Sequence, residues 1–281
     1  VIDLHTHTDR SDGTDTPTGL VEAALAAGVS TLAITDHDTT AGWAEAQAAA
    51  DRLGITLVRG AELSTRCHGI SVHLLAYLFD PDDTALATEM ALTRDDRLPR
   101  LHRIVKRFVD DGFDLTWEDV EAEMAEGSTP GRPHVADALV TKGYAEHRND
   151  VFSRWLHNGS RYYVPHHATE TSDAVRLVRA AGGVPVLAHP FAASRGRVID
   201  PDDVRHLTEA GLLGIEVRHR DHDAQEVARA ADLAAELDLI PTGSSDYHGT
   251  GKHNRLGERT TAPESLERIE ALASGTPVLR G

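Results

Sequence analysis

The stretch VIDLHTHTDRSDGTD, residues 1–15, starts as a strand and ends as a turn. Ile2 and Leu4 alternate with Asp3, His5 and His7, and the two-residue period of a strand puts those three polar side chains on one face. Two imidazoles two positions apart on one face can ligate a single ion. Asp12 follows on a loop in which Gly13 permits a tight turn. A first strand that carries ligands implies that later strands bring others to meet them, so the ends of those strands decide the reading.

They repeat the pattern. STLAITDHD (30–38) ends in Asp36, His37 and Asp38, and ITLVRGAELS (55–64) ends near Glu62. SVHLLAYLF (71–79) carries His73, VPVLAHP (184–190) closes on His189, and LIPTGSSDYH (239–248) closes on Asp246 and His248. With LGIEVRH (213–219) the strands number seven. Helical patterns over 16–27, 40–53, 171–181, 201–210, 222–237 and 262–274 separate most of them, with Gly28, Gly54 and Gly182–Gly183 as stops. No helix separates the third and fourth strands, which calls for a hairpin or short loop. Between 81 and 167 the alternation gives way to charged helical segments near 83–111, 116–126, 133–142 and 148–157, closing on the extended YYVPHH (162–167). The chain is therefore expected to be α/β: a distorted barrel in two portions, 1–80 and 168–281, interrupted by a helical insertion over 81–167. Strand ends of such a barrel converge on one mouth, where sites are built. A single histidine at a strand end is usually structural. A set that keeps to one edge of the barrel is not explained that way.

Composition narrows the chemistry. The chain has 281 residues and a net charge of −17 from 28 basic and 45 acidic residues, which opposes duplex DNA binding through a basic surface. Cys67 is the only cysteine, so neither a disulfide framework nor a cysteine-rich metal site is available, and a metal would be held by nitrogen and oxygen. No stretch is long and apolar enough to span a membrane. The opening residues read as strand rather than secretory signal, and together these features point to a cytoplasmic protein.

At this point DLHTHTDRSDG, TDHDT, GAELS, HLLAY, AHP and GSSDYHG, in that order, resemble the motifs of the PHP (polymerase and histidinol phosphatase) family. The resemblance spans both barrel portions. It implies a distorted barrel of seven βα units, two to three divalent ions (Mn, Fe or Zn), and hydrolysis of phosphate esters. Carried over by motif, it implies one ion on His5, His7, Glu62 and Asp246, a second on the shared Glu62 with His73 and His189, and a third on Asp12, His37 and His248. Asp3, Asp36 and Asp38 are candidates to orient imidazoles, with solvated or capping acids as the alternative. Asp38 and His222 are the candidates for general acid.

Substrate choice is expected to lie with the insertion. In TPGRPHVADALV, Pro133 marks a first helical turn with Gly131 and Arg132 just before it, so Arg132 and His134 are candidates to hold a second phosphate at a helix N-terminus. Arg195 of FAASRGR is a further substrate candidate near the mouth, beside Arg197, against an ordinary reading of both as solvated loop cations. Tyr162 and Tyr163 are expected to pack the insertion on the barrel, with base stacking as the alternative. Asp12, GRPH and YVPH together resemble the branch of the family that hydrolyses nucleoside 3′,5′-bisphosphates and trims short RNA from its 5′ end. That implies a small nucleotide or short single-stranded RNA as partner. The rivals are a histidinol-phosphate phosphatase and a non-catalytic metal-binding scaffold. Oligomeric state is not legible.

Overall fold

The computed structural model describes residues 1–281 except 126, 127, 158 and 166. Strand β1 (Ile2–Asp3) pairs in parallel with β2 (Thr31–Ile34), and β2 with β3 (Thr56–Cys67). β3 turns through a tight hairpin into antiparallel β4 (Ile70–Tyr77), as the missing helix requires. A two-residue β5 (Thr169–Glu170) flanks β3 and is too short to show in a hydropathy pattern. β6 (Val184–Ala188) runs antiparallel to β4, and β7 (Gly214–Arg218) and β8 (Ile240–Gly243) follow in parallel. A bridge between Thr6 and Tyr247, with the His7 N–H donating to the Tyr247 carbonyl at 2.9 Å, brings the first and last strands together. The sheet is thus a nearly closed barrel in which β4 alone runs against its neighbours.

Side-chain alternation sorts the strands into two layers. Leu32, Ile34, Leu57, Ala61, Leu63, Ile215 and Val217 face outward and pack with helices α1 (Pro17–Ala26) and α2 (Trp43–Leu53), among others. Leu4, Ala33, Val58, Leu75, Tyr77, Val186 and Ile240 form a separate inner cluster. Positions between outward residues point inward, and this is what aims Glu62 and Glu216 at the barrel axis. Local chemistry ends the helices where expected: Thr16 caps α1 by accepting from the Gly19 N–H at 3.0 Å, and α2 stops at Gly54 in left-handed backbone (φ 72°).

The helical segment starts with α3 (Thr84–Asp110), capped by Asp83, which accepts from the Leu86 N–H at 2.9 Å. α3 continues through Pro99. Its first half gives Leu86 and Met90 to the barrel-side core, while Leu101, Ile104, Val105 and Phe108 enter a second apolar cluster. That cluster also takes residues of α4 (Trp117–Glu121), α5 (Arg132–Thr141), α6 (Arg148–Val151) and the π-helical turn Phe152–Leu156 that extends α6. The helix expected to 126 is the short α4, and residue 126 lies outside the described residues. α7 (Thr171–Ala180), α8 (Pro201–Glu209), α9 (Ala224–Glu236) and α10 (Pro263–Leu272) complete the chain. No helix among the described residues is long and apolar enough to cross a membrane.

Candidate metal centre

Three segments of the barrel deliver the first group of donors. His5 and His7 leave β1 with their Nε2 atoms 3.1 Å apart, and Glu62 Oε2 lies 3.2 and 3.1 Å from them. Asp246 Oδ1, from the loop after β8, stands 3.5 and 3.4 Å from the same two nitrogens. The other Glu62 oxygen faces a different pair: Oε1 is 2.8 Å from His73 Nδ1 and 3.1 Å from His189 Nε2. A third group gathers on Asp12, whose Oδ1 is 3.2 Å from His248 Nε2 and whose Oδ2 is 3.7 Å from His37 Nε2. His37 sits between groups, with Nδ1 3.3 Å from Glu62 Oε2. All nine residues that the motifs single out are thus brought into one cluster, nearly all of it buried, with only His73 appreciably open to solvent. His189 and Asp246 hold positive φ (30° and 53°), a rare conformation for non-glycine residues that turns their side chains at the strand ends.

The electrostatics are those of a site built for cations. Burial alone would raise the Glu62 carboxyl, yet His73, His5 and His37 hold it well below the usual range. Burial opposes ionisation of Asp246 too, and Lys252, Arg195 and His248 overcome it. Burial would lower His7, but Asp246 and Glu62 carry it up to about 9. Burial takes His37 down to about 4 and His248 down to about 3, which leaves both neutral, the form that ligates. The buried His37 Nδ1 has no hydrogen-bond partner, an unusual state for a polar atom in a protein interior. Imidazole and carboxylate donors at these separations, with a buried nitrogen left open, fit divalent cations.

The supporting residues differ from those expected. Asp3 does not orient an imidazole; its carboxylate accepts from the Ser245 and Gly257 N–H groups at 3.0 and 2.9 Å and ties two loops together. Asp36 accepts from the Thr8 N–H (2.8 Å) and from Ser11 Oγ (2.6 Å), which itself lies 3.5 Å from His7 Nδ1. The carboxylate beside His5 Nδ1 is Glu216, at 3.4 Å, and its other oxygen accepts from the His189 N–H at 2.8 Å. His219 is also buried here, with Nε2 3.4 Å from Asp246 Oδ2. Neither Glu216 nor His219 stood out in the sequence. An acid inside the apolar run GIEV gives no sign of its neighbours, although its inward register is derivable once β7 is placed.

Both candidates for general acid have partners of their own. Asp38 is occupied: Ser64 donates to its two oxygens from N–H and Oγ (2.8 and 2.9 Å), and Arg97 Nη2 donates to Oδ2 at 2.6 Å. His222 Nδ1 lies 3.0 Å from the Val217 carbonyl and Nε2 lies 3.4 Å from the Phe191 N–H. Neither residue lines the cavity over the cluster.

That cavity measures about 550 Å³, with Asp12, His37, His73 and His189 on its walls. Arg132 lines it, donating to the Leu156 carbonyl at 2.7 Å with its guanidinium 5.6 Å from the Tyr163 ring. Arg100 lies on the same ring at 5.7 Å and also lines the cavity. Burial, then Arg132 and Arg97, bring Arg100 down to about 9, so three guanidiniums crowd one wall. His134 does not join them: its Nδ1 accepts from the Gly131 N–H at 3.1 Å and serves as a cap for α5. Arg195 reaches the cavity but is committed to Asp221 Oδ2 (2.5 Å) and Asp246 Oδ2 (2.6 Å), where it steadies Asp246. Tyr162 stacks on Phe108 (4.0 Å between centroids) inside the helical core, whereas Tyr163 faces the cavity. His166 of YVPH lies outside the described residues.

Residues 3–147 match the family model described as the PHP domain. The chain is 34% identical to a 3′,5′-nucleoside bisphosphate phosphatase of Chromobacterium violaceum, covering 90% of this chain and 89% of that protein. It is 35% identical to a phosphoribosyl 1,2-cyclic phosphate 1,2-diphosphodiesterase of Eggerthella lenta (93% and 100% covered). It is 31% identical to a 5′-3′ exoribonuclease of Escherichia coli (96% and 92%). Among solved structures, one described as a metal-dependent phosphoesterase of Bifidobacterium adolescentis superposes with a TM-score of 0.93 at 40% identity, covering 97% of this chain and 96% of that one.

Proposed function

The chain belongs to the PHP family of metal-dependent phosphoesterases, and on that premise we propose that it releases phosphate from nucleoside 3′,5′-bisphosphates and removes nucleotides from the 5′ end of short RNA. The observation that carries this reading is a cavity with two regions suited to phosphate, the first of them through the divalent ions it would hold. One is the His–carboxylate cluster, and the other is the Arg100–Tyr163–Arg132 wall. A substrate with phosphates at both ends satisfies both. Tyr163 lines the same cavity and offers its ring to the ribonucleoside of such a substrate.

In this reading His5, His7, Glu62 and Asp246 hold one ion, Glu62, His73 and His189 a second, and Asp12, His37 and His248 a third, with Mn²⁺, Fe²⁺ or Zn²⁺ as the occupants. Divalent ions so held supply Lewis-acid stabilisation of a phosphoryl group and acidify water. The protein's own part is positional. Glu216 fixes His5, Arg195 and Lys252 hold Asp246, and Ser11 links Asp36 to His7. Arg100 and Arg132 orient the remote phosphate, and the helical segment 81–167 acts as the cap that carries them. Asp38 keeps Arg97 and Ser64 in place, and His222 steadies the loop after β6. The net charge of −17 outside a basic cavity favours small nucleotides and single strands over duplex DNA. A nucleotide substrate and a single buried thiol accord with a cytoplasmic setting.

Histidinol phosphate carries a cationic amine, which the arginine wall repels. The test is phosphate release by Mn²⁺-loaded protein from adenosine 3′,5′-bisphosphate, a mononucleotide, histidinol phosphate and a short 5′-phosphorylated RNA. We expect kcat/KM for the bisphosphate to exceed that for the mononucleotide by at least about tenfold, corresponding to about 1.4 kcal/mol from the second phosphate. Equal turnover of bisphosphate and mononucleotide, or preference for histidinol phosphate, overturns the substrate assignment. Absence of turnover with every ester favours a scaffold.

A further inference from the structure

Among the described residues, one further group of metal-ligating side chains stands apart from the cavity cluster. Cys67, His68 and Asp203 bring Sγ, an imidazole nitrogen and a carboxylate oxygen within 4.8 Å of one another. Cys67 and His68 lie at the tip of the β3–β4 hairpin, and Asp203 lies in the first turn of α8. Neighbours in a strand point to opposite faces, but His68 and Gly69 both have positive φ (49° and 77°), so the chain turns at this point. His68 Nε2 is 3.3 Å from Asp203 Oδ1, while Asp203 Oδ2 accepts from the Asp200 N–H at 2.9 Å. One Asp203 oxygen therefore caps the helix and the other faces the hairpin.

We propose that Cys67, His68 and Asp203 form a separate site for a borderline-soft divalent cation such as Zn²⁺, which clips the hairpin tip to α8. Thiolate, imidazole and carboxylate are the donors that Zn²⁺ takes, with bonds of ~2.0–2.3 Å. Tetrahedral bonds of that length put ligand atoms ~3.3–3.8 Å apart, and the His68–Asp203 separation already falls in that range. Water takes the fourth position, and the largely exposed His68 side chain leaves an open approach. Asp203 and Glu170 bring negative charge to the hairpin tip, which attracts a cation. Binding forms a sulfur–metal bond, breaks the S–H bond and passes that proton to solvent. The location gives the clip a purpose. Ile70, Ser71 and Val72 of the hairpin and Val198 and Ile199 ahead of α8 all line the substrate cavity. A cation at this point fixes the two segments of that wall relative to each other.

Cys67 is the only cysteine in the chain, and the cavity cluster offers only nitrogen and oxygen. A near-ultraviolet thiolate-to-cobalt charge-transfer band therefore reports the clip alone. On titrating the whole protein with Co²⁺ we expect such a band, its loss in Cys67→Ser together with one equivalent of bound cobalt, and unchanged metal at the cavity cluster. His68→Asn suits the left-handed turn, and it should weaken the Co²⁺ affinity read from the band by about tenfold or more. Cobalt that fills the cavity cluster without producing a thiolate band overturns the proposal, as does a His68→Asn titration that overlays the wild type. Neither result touches the phosphoesterase reading, which is scored by phosphate release.

Discussion

Glu62 joins two groups of histidines through one side chain: Oε2 faces His5, His7 and His37, and Oε1 faces His73 and His189. Glu62→Gln keeps the shape and removes the shared negative charge. We expect metal content to fall by at least one equivalent and phosphate release to fall by about 10³-fold or more, the scale of losing an electrostatic stabiliser of the reaction. Elemental analysis with a single-turnover assay checks this, and near-normal metal and activity would remove Glu62 from the bridging role. On the opposite wall, Arg100→Ala should raise KM for a bisphosphate by about tenfold or more and leave a mononucleotide nearly unchanged, because a charged hydrogen bond contributes about 1.5–3 kcal/mol. Equal changes for both substrates would place Arg100 in packing alone. Asp3 makes a different, pH-dependent contribution. Burial raises its carboxyl to about 6 despite the N–H groups of Gly257 and Ser245. A folded pKa above the unfolded 3.8 means that the protonated form favours the fold. Its stabilising effect is complete below about pH 3.8 and is lost as pH rises through about 6, some 3 kcal/mol in all. Asp3→Asn removes that titration, so urea unfolding at pH 4 and pH 7 should show wild type losing ground to the variant. A constant difference between the two would mean that Asp3 does not titrate in this window.

At the scale of elements, the short helix α6 connects the helical segment to the loops that carry the third group of donors. Arg148 pairs with Asp137 of α5 (Nε to Oδ1, 2.7 Å) and donates to the Asp12 carbonyl at 3.2 Å. The loop after His248 passes so close that a Cβ at Gly251 would stand 2.6 Å from the Arg148 guanidinium. A free arginine would move aside, but this one is held at both ends. Gly251→Ala should therefore destabilise the wild type by about 1–3 kcal/mol and be nearly neutral in an Arg148→Met background. Chemical denaturation across the four proteins measures the coupling, and equal costs in both backgrounds would show that Arg148 is free to yield. Little of this strap was legible beforehand, since Arg148 belongs to a charged run, AEHRND, typical of any solvated helix start. Arg97 and Arg100 were hidden in the same way within RDDRLPR, because only packing shows which arginines of a long helix face inward. His189 and Asp246 were legible because each follows a recognisable apolar strand, where barrel geometry forces convergence, and Glu62 because it ends an apolar run, although β3 continues past it to Cys67. His134 misled because an imidazole at a helix start can bind an anion or cap the backbone, and the sequence before it is the same in both cases.

For the whole molecule, the cluster imposes an electrostatic cost on the empty barrel. Asp12, Glu62 and Asp246 are buried together at the point where the first and last strands meet, with His5 and His7 pressed against them. Donors from β3, β4 and the segments after β1, β2, β6 and β8 converge there, so a cation that bonds them ties most of the barrel's strands together. An ion that binds the folded chain and not the unfolded one contributes about 4 kcal/mol at a thousandfold excess over its Kd. For a chain of this size about 2–4 °C accompanies each kcal/mol, so one tightly held ion corresponds to about 8–16 °C in Tm. We therefore expect chelation to lower Tm by about that amount and saturating Mn²⁺ or Zn²⁺ to restore it. His5→Ala and Glu62→Gln should respond far less, because their cluster no longer closes. The helical core around Phe108 contains none of these donors, so its unfolding should follow the barrel's loss only as far as α3 transmits it. Hydrogen exchange would resolve the two. Chelation should speed exchange in β1, β3 and β8 more than in α5, and equal acceleration throughout would show that the barrel and the helical cluster unfold as one unit.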